Sequence, residues 1–261
     1  MRATPEQQKI ASAFLSARQK KTPLTSYPGP LPATMEEAYA IQDAALGLDG
    51  RRVGGWKVGR IADDLVSCYG EHRLTGPIFA EEIVDAADGR CPAMPVFAGG
   101  FAAAEAELLL RFGEVGTRVH DIDSIRDAID DVRIGIEVAS SPFPGINSHG
   151  PAVTASDYGN NKGLVLGPAL ADWRRSDLLR MPVEFHIDDL CVGRGTMETM
   201  LDGPFGSALF LVRLLRARGI AIPPGTWVSA GAITGVHEIG AGQRAEAVFD
   251  GKIRVACTVT G

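Results

Sequence analysis

The chain has no apolar run long enough to span a bilayer and no dense block of Lys and Arg. The first absence excludes a transmembrane helix. The second, with a formal net charge of −6, argues against a nucleic-acid phosphate surface. Cysteine is scarce and scattered: Cys68, Cys91, Cys191 and Cys257 form no Cys-x-x-Cys pair. They read as reduced, mostly buried small residues without a zinc or redox role. Five histidines show no metal-ligand spacing. Ser207 lacks the Gly-x-Ser-x-Gly elbow of serine hydrolases, and Gly231-Ala232-Ile233-Thr234-Gly235 lacks the Gly-Lys-Ser/Thr of a phosphate loop. The acidic stretch of Asp121, Asp123, Asp127, Asp130 and Asp131 lacks the glycine and terminal Glu of a calcium loop, and reads as a solvated helix. Met1 to Gln8 carries no secretory apolar region, so a cytoplasmic location is expected.

What is present is ample apolar material and many turns. With 261 residues and 45% hydrophobic content, the chain can bury a full core. Its 31 glycines and 16 prolines suit a fold of short strands and tight turns. Thr4-Pro5-Glu6-Gln7 and Thr34-Met35-Glu36-Glu37 are capping-box patterns opening two helices, separated by a Pro-rich connector. From Val53 onward strands are expected at Gly55 to Gly59, Ala104 to Arg111, Ile134 to Ala139, Gly163 to Leu166, Val183 to Ile187 and Trp227 to Ala230. Two more, Ala245 to Phe249 and Ile253 to Val259, flank the hairpin signal Asp250-Gly251. Helices are expected from Pro204 to Arg218 and from Asp123 or Ser124 through Asp130. The pattern predicts an α+β chain, with a helical N-terminal region over 1–52 and a strand-rich, mixed-β catalytic domain over 53–261.

The chemistry is concentrated in Phe101-Ala102-Ala103-Ala104-Glu105-Ala106-Glu107-Leu108. On a strand, Glu105 and Glu107 point to the same face. Two like charges in an apolar strand repel and are costly to desolvate unless a cation lies between them. Carboxylates suit a hard ion such as Mg²⁺ or Mn²⁺. The same run of Ala, Glu and Leu also suits a helix, on which the pair would be solvated and apart. A third carboxylate, Glu137, alternates with Ile136 and Val138 and follows Glu107 by thirty residues. Lys57 lies in the apolar, glycine-flanked run Val53-Gly54-Gly55-Trp56-Lys57-Val58-Gly59. It would act there as acid or base, or snorkel to water.

In order along the chain stand Gly-Trp-Lys-Val-Gly, Gly-Pro-Ile-Phe-Ala (Gly76 to Ala80), Glu-Ala-Glu-Leu, Ile-Glu-Val and Gly163-Leu164-Val165-Leu166-Gly167. A helix after Pro204, Gly219 to Thr226, Ser229-Ala230-Gly231-Ala232 and a closing hairpin follow. This order resembles the 2-keto-4-pentenoate hydratase and 4-oxalocrotonate decarboxylase branch of the fumarylacetoacetate hydrolase superfamily over nearly the whole chain. The resemblance implies the superfamily's mixed-β fold with a helical N-terminal region, a bound Mg²⁺ or Mn²⁺, and a homo-oligomer. It maps the metal carboxylates onto Glu105, Glu107 and Glu137 and the catalytic lysine onto Lys57.

The implied function is a metal-dependent lyase, a hydratase of a 2-hydroxydienoate or 2-keto-4-pentenoate-like acid in aromatic-compound catabolism. The alternatives are a keto-acid decarboxylase or acylpyruvate hydrolase on the same scaffold, and a non-catalytic keto-acid-binding or assembly partner. The small-molecule partner is in each case a 2-oxo or 2-hydroxy carboxylic acid. Departures from the pattern bear on the substrate. An acidic Asp-Phe pair common in hydratases is missing between Tyr69 and Pro77, where Glu71 or His72 would substitute. The loop Ser156 to Gly163 differs as well, leaving Asn160, Asn161 and Lys162 to bind a carboxylate. Ala230 stands where relatives often place a hydroxyl, and Ser229 or Thr234 would compensate.

Overall fold

A computed structural model describes residues 3–174 and 177–261. Its helices are α1 (Pro5–Lys20), α2 (Met35–Asp49), α3 (Asp63–Tyr69), α4 (Ile122–Asp127), α5 (Pro151–Ser156) and α6 (Gly203–Ala217). Its strands are β1 (Val53–Arg60), β2 (Arg73–Phe79), β3 (Ile83–Asp85), β4 (Ala93–Pro95), β5 (Phe101–Phe112), β6 (Ile129–Ser141) and β7 (Asn161–Ala169). After them come β8 (Val183–Ile187), β9 (Leu190–Gly195), β10 (Trp227–Ser229), β11 (His237–Glu238), β12 (Arg244–Phe249) and β13 (Ile253–Thr260).

Local chemistry sets the helix starts. The Thr4 hydroxyl accepts from the Gln7 N–H at 3.2 Å while the Thr4 N–H donates to Gln7 Oε1 at 2.9 Å, the reciprocal capping box. At α2 the Thr34 hydroxyl accepts from the Glu37 N–H, but Glu37 Oε2 takes the N–H of Ala33, one residue earlier than a full box would. Gly50, at φ 73°, ends α2 in the left-handed conformation that glycine adopts without steric cost.

Two sheets form the body. An eight-stranded mixed sheet runs β2-β1-β10-β5-β6-β7-β3, with β11 added to β5. A five-stranded sheet runs β4-β13-β12-β8-β9. One face of the larger sheet joins the smaller sheet and α6 in a single apolar cluster, in which Leu108, Ile134 and Ile136 share a core with Phe185, Phe249 and Leu211. Helices α1 and α2 join a second cluster with Phe79, Phe143 and Tyr158. The Asp250-Gly251 turn has φ of 53° and 66°, the two positive values of a type I′ hairpin.

The acidic stretch corrects the sequence expectation. The helix stops at Asp127, and Asp130 and Asp131 lie on β6. The buried alternation of Val132, Ile134 and Ile136 extends the strand backward and overrides helix propensity there.

Glycine at position 76 is required by close approach. A Cβ there would lie 1.9 Å from the Tyr158 carbonyl oxygen. Gly76→Ala is therefore expected to lower stability by at least about 2 kcal/mol in urea unfolding, as overpacking does. Gly47→Ala, in α2 with nothing within 4 Å of the added methyl, is expected to be neutral or to stabilise by about 0.5–1 kcal/mol. Equal behaviour of the two variants would contradict the packing of β2 on the Tyr158 loop.

Candidate active site

Alternation along β5 divides its side chains. Ala104, Ala106, Leu108 and Leu110 enter the main core, leaving Glu105 and Glu107 on the opposite face. Antiparallel pairing sets Glu137 of β6 directly across from Glu105. One oxygen from each of the three carboxylates lies within 4.8 Å of the other two. Glu107 and Glu137 are fully buried and Glu105 is 5% exposed. Like charges directly opposed on a sheet repel, so this cluster requires positive charge.

Lys57 supplies one such charge. Strand β1 is joined through β10 to β5, with Lys57 beside Ser229 in the parallel register. Its Nζ lies 3.3 Å from Glu137 Oε2. Burial alone would lower the lysine pKa, but the carboxylates of Glu137, Glu105 and Glu107 outweigh it and hold the ammonium above the ordinary lysine range. Burial pushes Glu105 up to about 7 despite the attraction of Lys57, and Glu137 adds to the rise. Burial also raises Glu107 well above an ordinary carboxyl, reinforced by Glu137 and Glu105.

Two of the three carboxylates are held from behind. The Ser229 hydroxyl donates to Glu107 Oε2 at 2.6 Å, and the Gly231 N–H donates to the same oxygen at 2.8 Å. Asn161 Nδ2 donates to Glu137 Oε1 at 2.9 Å. Glu107 Oε1 is buried without a hydrogen-bond partner, and Glu137 Oε2 is buried with only the Lys57 ammonium beside it. An all-oxygen donor set with two such oxygens fits a hard divalent cation.

The cluster borders a cavity of about 610 Å³ lined by Lys57, Glu105, Arg60, Arg73 and Asn160 among others. Asn160 donates its Nδ2 to Asn147 Oδ1 at 3.0 Å and leaves its own Oδ1 unpartnered. Tyr158, Gly159 and Asn160 have φ of 56°, 61° and 55°, so three successive residues are left-handed. A buried ion pair anchors this loop: Arg18 Nε donates to Asp157 Oδ1, and the Arg18 Nη1 donates to the Asn161 carbonyl at 3.1 Å.

The structure thus gathers Lys57, Glu105, Glu107, Glu137, Asn160, Asn161 and Ser229, but in different roles. Asn161 and Ser229, expected to touch substrate, hold carboxylates from behind. Lys162 departs from the group. It follows Asn161 on β7, so alternation turns it to the other face, where its Nζ pairs with Glu82 at 2.6 Å in a separate cavity of about 290 Å³. Glu71 and His72 are exposed and outside the main cavity lining, and the Thr234 hydroxyl lies 3.3 Å from the His237 ring. Sequence reasoning missed Arg60 and Arg73. Arg60 lies three residues beyond Lys57, and no local pattern distinguishes either arginine from a surface residue.

Comparison with protein-family models and with curated protein sequences gave no match. Solved structures do match. 4-Oxalocrotonate decarboxylase from Pseudomonas putida G7, complexed with magnesium and adipate, aligns over 99% of this chain and 100% of its own at 19% identity and TM-score 0.82. Fumarylpyruvate hydrolase from Pseudomonas aeruginosa, with Mn²⁺ and pyruvate, aligns over 78% of this chain and 88% of its own at 16% identity and TM-score 0.61. Maleylpyruvate hydrolase from Sphingobium sp. SYK-6, with manganese and pyruvate, covers 78% and 70% at 12% identity and TM-score 0.55. The chain has the α+β fold of the fumarylacetoacetate hydrolase superfamily.

Removing the one ammonium among three carboxylates should be costly. Lys57→Met in EDTA is expected to lose about 3 kcal/mol or more in urea unfolding, the scale for breaking a buried ion pair from one side. Unchanged stability would contradict the charge balance described for the cluster.

Proposed function

We propose that this protein is a divalent-metal-dependent lyase acting on an unsaturated 2-oxo acid through its enolate, and that decarboxylation of an acid bearing a second carboxylate, whose C–C bonding pair passes into the 2-oxo group as carbon dioxide leaves, fits its cavity best. The observation that carries the metal requirement is the gathering of three buried carboxylates, with Glu107 Oε1 unpartnered and Glu137 Oε2 faced only by the Lys57 ammonium. Glu105, Glu107 and Glu137 would hold Mg²⁺ or Mn²⁺. When bound, the ion would supply a Lewis acid that draws off the negative charge developing on the substrate.

The chain's own residues do the rest. Ser229, Gly231 and Asn161 fix Glu107 and Glu137 before any ligand arrives, so less reorganisation is left for binding. Lys57 holds a proton at Nζ beside the cavity, suited to protonating carbon after carbon dioxide departs. The unpartnered Asn160 Oδ1 would accept an enol O–H. Arg60 and Arg73 line the same cavity and would orient a distal carboxylate. The apolar side chains of Leu65, Leu74 and Met200 line it as well, and so exclude water from the reacting carbon.

Water addition, the hydratase reading, stands second. It would need a group to deliver water at the far carbon, and Glu71 and His72 do not line the cavity. End-to-end likeness to a 4-oxalocrotonate decarboxylase supports the same order. Assembly as a homo-oligomer and a cytoplasmic role in aromatic-compound catabolism belong to this reading. Among the described residues, no helix is long and apolar enough to cross a membrane.

The test is an assay of Mg²⁺-loaded protein with two substrates. Carbon dioxide release from an unsaturated 2-oxo dicarboxylate is expected, and slow or no hydration of 2-hydroxypenta-2,4-dienoate. Lys57→Ala should lower kcat by about 10²-fold or more with metal affinity retained, and Arg73→Met should chiefly raise KM. Hydration without carbon dioxide release would make the chain a hydratase. Binding of both acids with no turnover would make it a non-catalytic module.

A further inference from the structure

Far from the carboxylate cluster in sequence, the β8–β9 hairpin carries a second set of ligand-type side chains. Val183, Phe185 and Ile187 are buried in the core, so alternation sends Glu184 and His186 to the outer face. On β9 a bulge shifts the register, pairing Phe185 with Gly193 but His186 with Cys191. Cys191 therefore lies directly across from His186. One ligand atom each from Glu184, His186 and Cys191 falls within 4.8 Å of the others.

The donor chemistry differs from that of the carboxylate cluster. Thiolate, imidazole and carboxylate together suit a borderline-soft ion rather than Mg²⁺. His186 Nε2 and Glu184 Oε2 are already 3.1 Å apart. Zinc bonds of ~2.0–2.3 Å in a tetrahedron place ligand atoms ~3.5 Å from one another. Rotation of partly exposed side chains on a hairpin face closes the remaining gap. Arg194 donates its Nε to Glu184 Oε1 at 2.8 Å, fixing the carboxylate from behind while Oε2 stays turned to His186. Such outer partners orient metal ligands.

We propose that Glu184, His186 and Cys191 form a surface site for Zn²⁺ or a similar borderline-soft divalent ion, with water completing the tetrahedron, separate from the hard-ion site at Glu105, Glu107 and Glu137. Binding forms a sulfur–metal bond as the Cys191 thiol proton passes to solvent. The ion clamps β8 to β9 across the turn. The hairpin also backs the main cavity: Gly193 lies so close to the 234–237 loop that a Cβ would meet His237 Nε2 at 2.5 Å, and Gly235 and Val236 of that loop line the cavity. This set runs against the sequence expectation of no metal role for Cys191 or His186, because cross-strand register is what brings Cys191 to Glu184 and His186.

The proposal is tested by titrating Mg²⁺-saturated protein with Co²⁺ and following the near-ultraviolet thiolate-to-cobalt absorption band, with Zn²⁺ then added to displace it. A saturable band of one equivalent, lost in Cys191→Ser and retained in Cys68→Ser and Cys91→Ser, is expected. His186→Ala should weaken binding more than the about 10-fold typical of losing an outer partner. All four changed residues are at least partly exposed, and circular dichroism checks their folding. No thiolate band, or a band that survives Cys191→Ser, overturns the proposal. Because an all-carboxylate site gives no thiolate band, this result is independent of metal binding at Glu105, Glu107 and Glu137.

Discussion

Three carboxylates removed from water around one lysine ammonium are the constraint on which the rest of this structure depends. Glu105, Glu107 and Glu137 are brought together by strand alternation and by the pairing of β5 with β6. Nothing in backbone geometry alone makes such a cluster stable. Its tolerance rests on Lys57 from β1 and on the donors of Ser229, Gly231 and Asn161. Removing water strengthens both the repulsion and the attraction, so the cluster is poised to gain from any further positive charge.

The outlying parts of the chain serve this cluster at a distance. Arg18, near the end of α1, is buried against Asp157 and the Asn161 carbonyl. It thereby pins the three-residue left-handed turn that delivers Asn160 to the cavity and Asn161 to Glu137. Left-handed Tyr158 and Asn160 carry a backbone cost that surrounding contacts must offset. Gly76 of β2 permits that loop to lie against the sheet. The helical N-terminal segment thus shapes the site through hydrogen bonds, from Arg18 and also from Tyr27 to Ser156, Gln42 to the Ala155 carbonyl and Tyr158 to Asp49.

Much of this was legible because it follows from local periodicity. On the strand reading, alternation set Glu105, Glu107 and Glu137 facing away from apolar neighbours; the helix that the same Ala, Glu and Leu run also suited is excluded by the pairing of β5 with β6, and the glycines around Lys57 marked a strand approached closely by others. Caps at Thr4 and the Asp250-Gly251 turn were readable for the same reason. What stayed hidden depends on strand neighbourhood. Ser229 reaches Glu107 only because β10 inserts between β1 and β5. Lys162 was grouped with Asn160 and Asn161 by adjacency in sequence, whereas strand alternation separates it from them. Strand β2 was obscured by Gly76-Pro77, which a sheet tolerates there because β2 is an edge strand.

The most direct measurement is thermal unfolding of EDTA-stripped protein with Mg²⁺, with and without oxalate, beside Glu107→Gln. Oxalate presents the two adjacent oxygens of an enolised 2-oxo acid, and a ligand that binds only the native state raises Tm, by an amount equivalent to about 2.7 kcal/mol at 100 times its Kd. A metal-dependent rise that oxalate enlarges, and that Glu107→Gln abolishes, is the result expected of a carboxylate metal site that takes a keto acid. Absence of any response to saturating Mg²⁺ or Mn²⁺ would contradict it, and would leave the buried charges balanced by Lys57 alone.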